Sequence, residues 1–161
     1  MFALDRAKKP ILREKSALLC EGQLDVISCH EGGIDHAIAP LGTAFTRDHA
    51  RLLRRYTTSV LICYDADRAG LAASERVFRE LTPEGLAVRV VRMPAGEDPD
   101  TYLKTYGVEA FRGLLADAAE FFDFKLGKAR EDGLLDQAAG RTAALTDCAG
   151  MLALMSDFAA R

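Results

Sequence analysis

The acids with the clearest chemical purpose are Asp65 and Asp67, which close the apolar run Val60-Leu61-Ile62-Cys63-Tyr64. That run is short, β-rich and free of Gly and Pro, which predicts a buried strand. Side chains along a strand repeat every two residues, so Asp65 and Asp67 leave its end on the same side. Two carboxylates held that way repel each other until a cation stands between them. Hard oxygen donors select Mg²⁺ or Mn²⁺, which keep waters and take one or two carboxylates plus substrate phosphate. In isolation the pair reads more simply as a helix cap, Asp67, after a polar loop residue, Asp65. Its company decides between the two.

A second acid closes a second apolar run. Ser16-Ala17-Leu18-Leu19-Cys20 predicts a strand ending in Glu21-Gly22. Gly22 omits a Cβ where the backbone turns into a helix, and Gly32-Gly33 stops that helix after about Glu31. In a parallel α/β sheet, ligands gather beyond the carboxyl ends of the strands. If the two strands are neighbours, Glu21, Asp65 and Asp67 share one crevice. Asp25 either orients Glu21 or reaches the backbone, or else stands exposed in the first turn, where the helix dipole favours an acid. A third acidic cluster, Gly96-Glu97-Asp98-Pro99-Asp100, follows the run Val88-Arg89-Val90-Val91-Arg92-Met93. Asp98 suits an N-cap and Pro99 the first helical position. Capping leaves Glu97 and Asp100 beside it unexplained.

The elements that must position these acids alternate along the chain: strand 16–20, helix 22–31, strand 35–39, helix 46–56, strand 59–65, helix 68–81, strand 87–93, helix 99–106. Such alternation predicts an α/β fold, a mostly parallel sheet with helices on both faces and right-handed crossovers. Between the second strand and its helix, Gly42 permits a tight turn, and its amide can approach a phosphate.

In chain order, Glu21-Gly22-x-x-Asp25, Pro40-Leu41-Gly42-Thr43-Ala44, Asp65-Ala66-Asp67-Arg68-Ala69-Gly70 and Gly96-Glu97-Asp98-Pro99-Asp100 resemble the motifs of the Toprim domain in bacterial DnaG-type DNA primases. The resemblance runs over about residues 3 to 125. Toprim domains also occur in type IA and type II topoisomerases, OLD-family nucleases and recombination mediators. Those share the Glu and the Asp-x-Asp, whereas the Leu-Gly-Thr-Ala and Glu-Asp-Pro-Asp segments look like primase. One departure is Ala66, where primases usually carry Gly.

The resemblance implies template-directed synthesis of short RNA primers on single-stranded DNA. A nucleotide 3′-oxygen attacks the α-phosphorus of a ribonucleoside triphosphate, and pyrophosphate leaves. It implies two or more Mg²⁺ or Mn²⁺ ions, with Asp65 and Asp67 as metal ligands and Glu21 as ligand or proton acceptor. Asp98 and Asp100 would complete a further metal position, and Gly42 and Arg68 would meet phosphate. The implied partners are the template, the ribonucleoside triphosphates and, through other regions, a replicative helicase, all in the bacterial cytoplasm. Two rival readings are a non-catalytic module that binds metal and nucleic acid, and a nuclease or topoisomerase. A topoisomerase needs a nucleophilic tyrosine in a separate domain, and Tyr56, Tyr64, Tyr102 and Tyr106 all fall in Toprim elements. A phosphoaspartate nucleophile at Asp65 leaves Glu21 and the Glu-Asp-Pro-Asp cluster unexplained.

Charge and cysteine content bound these readings. The net charge is −3, unhelpful for a nucleic-acid partner unless cations cluster. The helix after Thr46 carries Arg47, Arg51, Arg54 and Arg55, either a solvated basic face or, at Arg51, Arg54 and Arg55, a contact to a phosphate backbone. Cys20, Cys29, Cys63 and Cys148 show no Cys-x-x-Cys spacing, so neither zinc nor a disulfide framework is expected. His30, His36 and His49 are scattered, and none reads as a ligand. No apolar run is long enough to span a membrane.

The expected organisation is a connector over 1–14, the Toprim domain over 15–107 and a helical segment over 108–161, in which Phe111, Phe121, Phe122 and Met151 have no visible partner. The abrupt start and end suggest an excised piece of a catalytic core.

Overall fold

The computed structural model describes every residue except Thr43, Ala66, Asp67, Ala160 and Arg161. The side chains of Arg68 and of residues 156–159 also lie outside the description. In chain order the elements are α1 (Leu4–Glu14), β1 (Ala17–Cys20), α2 (Gln23–Glu31), β2 (Ala37–Ile38), α3 (Arg47–Leu53), β3 (Ser59–Cys63) and α4 (Arg68–Leu81). There follow β4 (Ala87–Val90), α5 (Pro99–Ala116), β5 (Ala119–Glu120), α6 (Phe121–Glu131) and α7 (Ala138–Ala159).

Among the described residues the sheet has the order β2-β1-β3-β4-β5. The first four strands are parallel, and β5 runs antiparallel to β4. β1 is buried along its whole length, as a strand covered on both faces must be. The pleat sorts the core into two layers. Ala17, Leu19, Val60, Ile62 and Tyr64 pack with α1, α3 and α4. Leu18, Cys20, Leu61 and Cys63 pack with Val26 and Cys29 of α2 and Phe111 of α5. Reversal of strand order after β2 puts α2 and α3 on opposite faces when both crossovers are right-handed. The α/β expectation therefore holds.

The strands are shorter than the apolar runs that predicted them. In β4 the last rung is the Val91 amide bonding Ile62 O at 2.8 Å, because its parallel neighbour β3 stops at Cys63. β5 is an addition beyond the strand pattern: two residues carry no alternation signal, and only pairing of Arg89 with Glu120 and Val90 with Ala119 defines them. The helix predicted over 99–106 continues to Ala116 across a kink at Gly107, whose φ of 82° suits glycine.

Both ends of the chain join the core. Leu4, Ala7 and Ile11 of α1 are buried against it, and the Phe2 amide bonds Ala39 O at 2.8 Å. The apolar residues of the last third find partners in both layers, Phe111 beside α2 and Phe121 and Phe122 against α4. The rings of Phe78 and Phe121 stack with centroids 3.9 Å apart, Phe122 meets Phe78 edge-on, and Met151 of α7 is fully buried. Lys125 of α6 bridges Glu75 of α4 and Asp147 of α7, and Arg79 also bonds Asp147 at 3.1 Å.

Candidate active site

β1 and β3 are adjacent and in register, Cys20 opposite Cys63, so Glu21 and Asp65 leave the carboxyl ends of neighbouring parallel strands. The chain leaves β1 toward β2 on one side and returns as β3 on the other, which makes this gap the topological switch point where α/β sheets bind ligands. Glu21 is exposed and borders a cavity with Gly42, Phe45, Arg76 and Val77. Asp65 borders a second cavity with Leu71, Ser74, Arg92, Phe124 and Lys128. Tyr64 lines both and forms their common wall. Its burial and the charge of Glu21 push its phenol above the ordinary tyrosine range, so it stays protonated.

Two glycines fit the backbone to these acids. A Cβ on Gly70 would run into the main chain of Asp65, so α4 begins against the end of β3 only because that position is glycine. A Cβ on Gly22 would lie 3.0 Å from Asp25 Oδ2. That oxygen instead accepts the Gly22 amide at 3.0 Å, and the nearby Asp100 amide also favours the ionised carboxylate. Asp25 is thus buried and reaches the backbone, and the exposed alternative is overturned because α5 docks over α2. Its carboxyl is pushed up to about 6, first by burial and then by the charges of Asp98 and Asp65, against the pull of those two amides.

Asp98 caps α5 by accepting the Thr101 amide at 2.7 Å. Asp100 accepts Ser28 Oγ and, at 2.7 Å, Lys104 Nζ, and the lysine foremost holds its carboxyl below the ordinary range. Gly42 has φ 62° and borders the Glu21 cavity. Arg51 pairs with Glu84 and Asp48, while Arg54 and Arg55 are exposed. Asp67 and the side chain of Arg68 lie outside the described residues. Among the described residues no three His, Cys, Asp or Glu form a group that would hold a metal ion, and no helix is long and apolar enough to cross a membrane.

The donor chemistry nonetheless fits a hard divalent cation. The charges of Asp65 and Asp98 together disfavour ionisation of Asp25, a penalty that a cation relieves. Three cations at the site were not singled out from sequence in this role: Arg76 by Glu21, and Arg92 and Lys128 by Asp65. Arg76 had a signal, as the one cation between Ala69 and Val77 of the apolar spacing Ala69, Ala73, Val77.

Comparison with known proteins bears on the arrangement. The sequence model of the Toprim-like family matches residues 18–103. The chain is 41% identical over 86% of its length to the DNA primase of Synechococcus elongatus, and 41% over 81% to that of Geobacillus stearothermophilus. It covers 21% and 22% of those proteins, so it spans about a fifth of the relatives it matches. The Aquifex aeolicus primase structure, comprising zinc-binding and RNA polymerase domains, superposes with a TM-score of 0.77 at 36% identity, over 98% of this chain and 40% of that one. The catalytic domain of DnaG primase bound to ssDNA superposes with a TM-score of 0.78 at 32% identity, over 94% and 50%. With its carboxylates at paired strand ends and a family match across more than half its length, the chain belongs to the Toprim-like family, in the form carried by DnaG-type primases.

Proposed function

We propose that this chain is the metal-binding part of the catalytic core of a DNA primase, which makes short RNA primers on single-stranded DNA in the bacterial cytoplasm. The observation that carries this reading is the placement of Glu21 and Asp65 at register-matched ends of β1 and β3, at the switch point of the sheet. The relatives and structures named above are primases, one of them bound to ssDNA.

Glu21, Asp65 and Asp67 would hold the divalent cation, with Asp98 and Asp100 as candidates for a further position. When bound, Mg²⁺ or Mn²⁺ supplies a lowered pKa for the attacking 3′-hydroxyl and charge stabilisation on the leaving oxygens. Glu21, exposed as Asp65 is, serves either as ligand or as acceptor of the hydroxyl proton. Asp25 fixes the loop after β1 by accepting the Gly22 amide. Protonated Tyr64 keeps a neutral wall between the two cavities. Arg76, Arg92 and Lys128 supply the positive charge that triphosphate needs at their edges, and Gly42 and Arg68 are further phosphate candidates. The 3′-oxygen forms a bond to the α-phosphorus as the bond to pyrophosphate breaks.

The test is primer synthesis by the full-length protein that contains this chain. Glu21→Gln removes charge and keeps shape, so synthesis falls at least ~10²-fold while the thermal transition stays in place. Normal priming by that variant would reduce Glu21 to a structural residue.

A further inference from the structure

Two segments that run toward the opposite end of the sheet carry charge of the other sign. Residues 1–15 and 46–58 hold nine Lys and Arg against three Asp and Glu, in a chain that holds 21 against 24 overall. Lys15 lies two residues before β1 and Thr58 one before β3, so both stand at the amino ends of the strands whose carboxyl ends carry Glu21 and Asp65. With about 3.3 Å per strand residue, the two ends stand roughly 15 Å or more apart.

Here Leu12, Lys15, Arg54, Tyr56, Thr57 and Thr58 line a cavity. Leu12 is 57% exposed and offers this cavity an apolar edge. Lys8, one turn before Leu12 on α1, places its ammonium 5.9 Å from the Tyr56 ring centroid. Lys15 is held in a left-handed conformation, φ 55°, and its carbonyl accepts the buried Thr57 hydroxyl at 2.9 Å. The loop that presents Lys15 is therefore fixed. Arg47 and Arg51 are committed to Glu84, whereas Lys8, Lys15, Arg54 and Arg55 form no ion pair with a described residue.

We propose that Lys8, Leu12, Lys15, Arg54, Arg55 and Tyr56 form a second binding surface, distinct from the carboxylate end, for single-stranded nucleic acid. The chemistry matches what a single strand needs: cations for successive phosphates, and an apolar and aromatic recess for an unstacked base. An acidic polypeptide would use the cations but not a recess of Leu12 and Tyr56. The proposal rests on the primase reading only for which strand is held there.

The test is fluorescence anisotropy of the 161-residue chain with a labelled oligo(dT), in chelator and across a salt series. The Lys15→Glu/Arg54→Glu variant should bind at least ten-fold more weakly at low salt. Its slope of log affinity against log salt should be shallower by about 0.7 for each phosphate the variant no longer neutralises. Lys8→Gln/Arg55→Gln, at exposed sites, should do the same in milder degree if the first pair disturbs folding. Arg130→Glu, at an exposed site on α6, should bind oligo(dT) as the parent chain does, so the loss follows position rather than net charge, and the chelator keeps the outcome independent of the metal site. Unchanged affinity and slope in both basic variants would overturn the proposal. So would displacement of oligo(dT) by polyglutamate at equal charge concentration, which would show that the surface takes acidic polymers without regard to bases.

Discussion

The first turn of α4 lies so close to the end of β3 that a Cβ on Gly70 would stand 3.0 Å from the carbonyl carbon of Asp65 and 3.2 Å from its nitrogen, and closer still to its oxygen. Main chain cannot yield as a flexible side chain can. Gly70 thereby fixes where Asp65 leaves the sheet, and it explains why the Asp-x-Asp is followed by glycine three residues on.

Gly70→Ala is expected to displace either α4 or Asp65. Overpacking of this kind costs about 1–3 kcal/mol. Thermal unfolding should show a lower midpoint, and Mn²⁺ binding should weaken even where the variant folds. A variant with the parental midpoint and parental Mn²⁺ affinity would show that the junction tolerates a side chain.

Asp25 gives a pH signature. Its folded-state carboxyl titrates at about 6, above the ordinary value near 3.8, so the folded chain binds this proton more tightly than the unfolded one. Stability from this group is therefore greatest below pH 4 and declines as pH rises to about 6. In chelator at pH 7.5, Asp25→Asn should raise stability by on the order of 1–3 kcal/mol and flatten the profile between pH 4 and 6. A lower midpoint for that variant at pH 7.5 would mean that the pull of the Gly22 and Asp100 amides outweighs burial and repulsion.

The last helices are expected to be part of the stable unit rather than an appendage. Met151 is fully buried, and Lys125, with its side chain 13% exposed, joins α4 to α7. Met151→Ala should cost about 2–5 kcal/mol, and Lys125→Met less, about 1–2 kcal/mol given partial solvent screening. Chemical denaturation should also show a single transition for the parent chain. Two separate transitions would show that residues 121–159 melt on their own.

The chain alone should fold and yet fail to prime. At a net charge of −3 its hold on a template is salt-sensitive, and it spans only about a fifth of its primase relatives. Dinucleotide synthesis by the 161 residues with single-stranded DNA, ribonucleotides and Mn²⁺ would contradict that expectation.

What the sequence displayed were features that depend on neighbours in the chain. The buried runs of β1 and β3, the helix of α4 and the Asp98 cap are local, and each reads out through composition or spacing. β5 is defined by pairing with β4 rather than by its own two residues. Asp25 is buried by a helix that begins more than seventy positions later, so its state was open between two readings. Arg92 and Lys128 reach the Asp65 cavity from β4's trailing loop and from α6, and only the tertiary fold unites them. The core-facing spacing of Leu4, Ala7 and Ile11 was present in the sequence but lay in a stretch expected to be a connector.

Divalent-cation binding at the paired strand ends tests the central claim most directly. Paramagnetic Mn²⁺ titration of the parent chain, of Glu21→Gln and of Asp65→Asn/Asp67→Asn should show saturable binding in the first, weaker binding in the second and none in the third. All three should keep the same thermal transition in chelator. Undiminished Mn²⁺ binding by the folded Asp65→Asn/Asp67→Asn variant would contradict a metal site at the ends of β1 and β3.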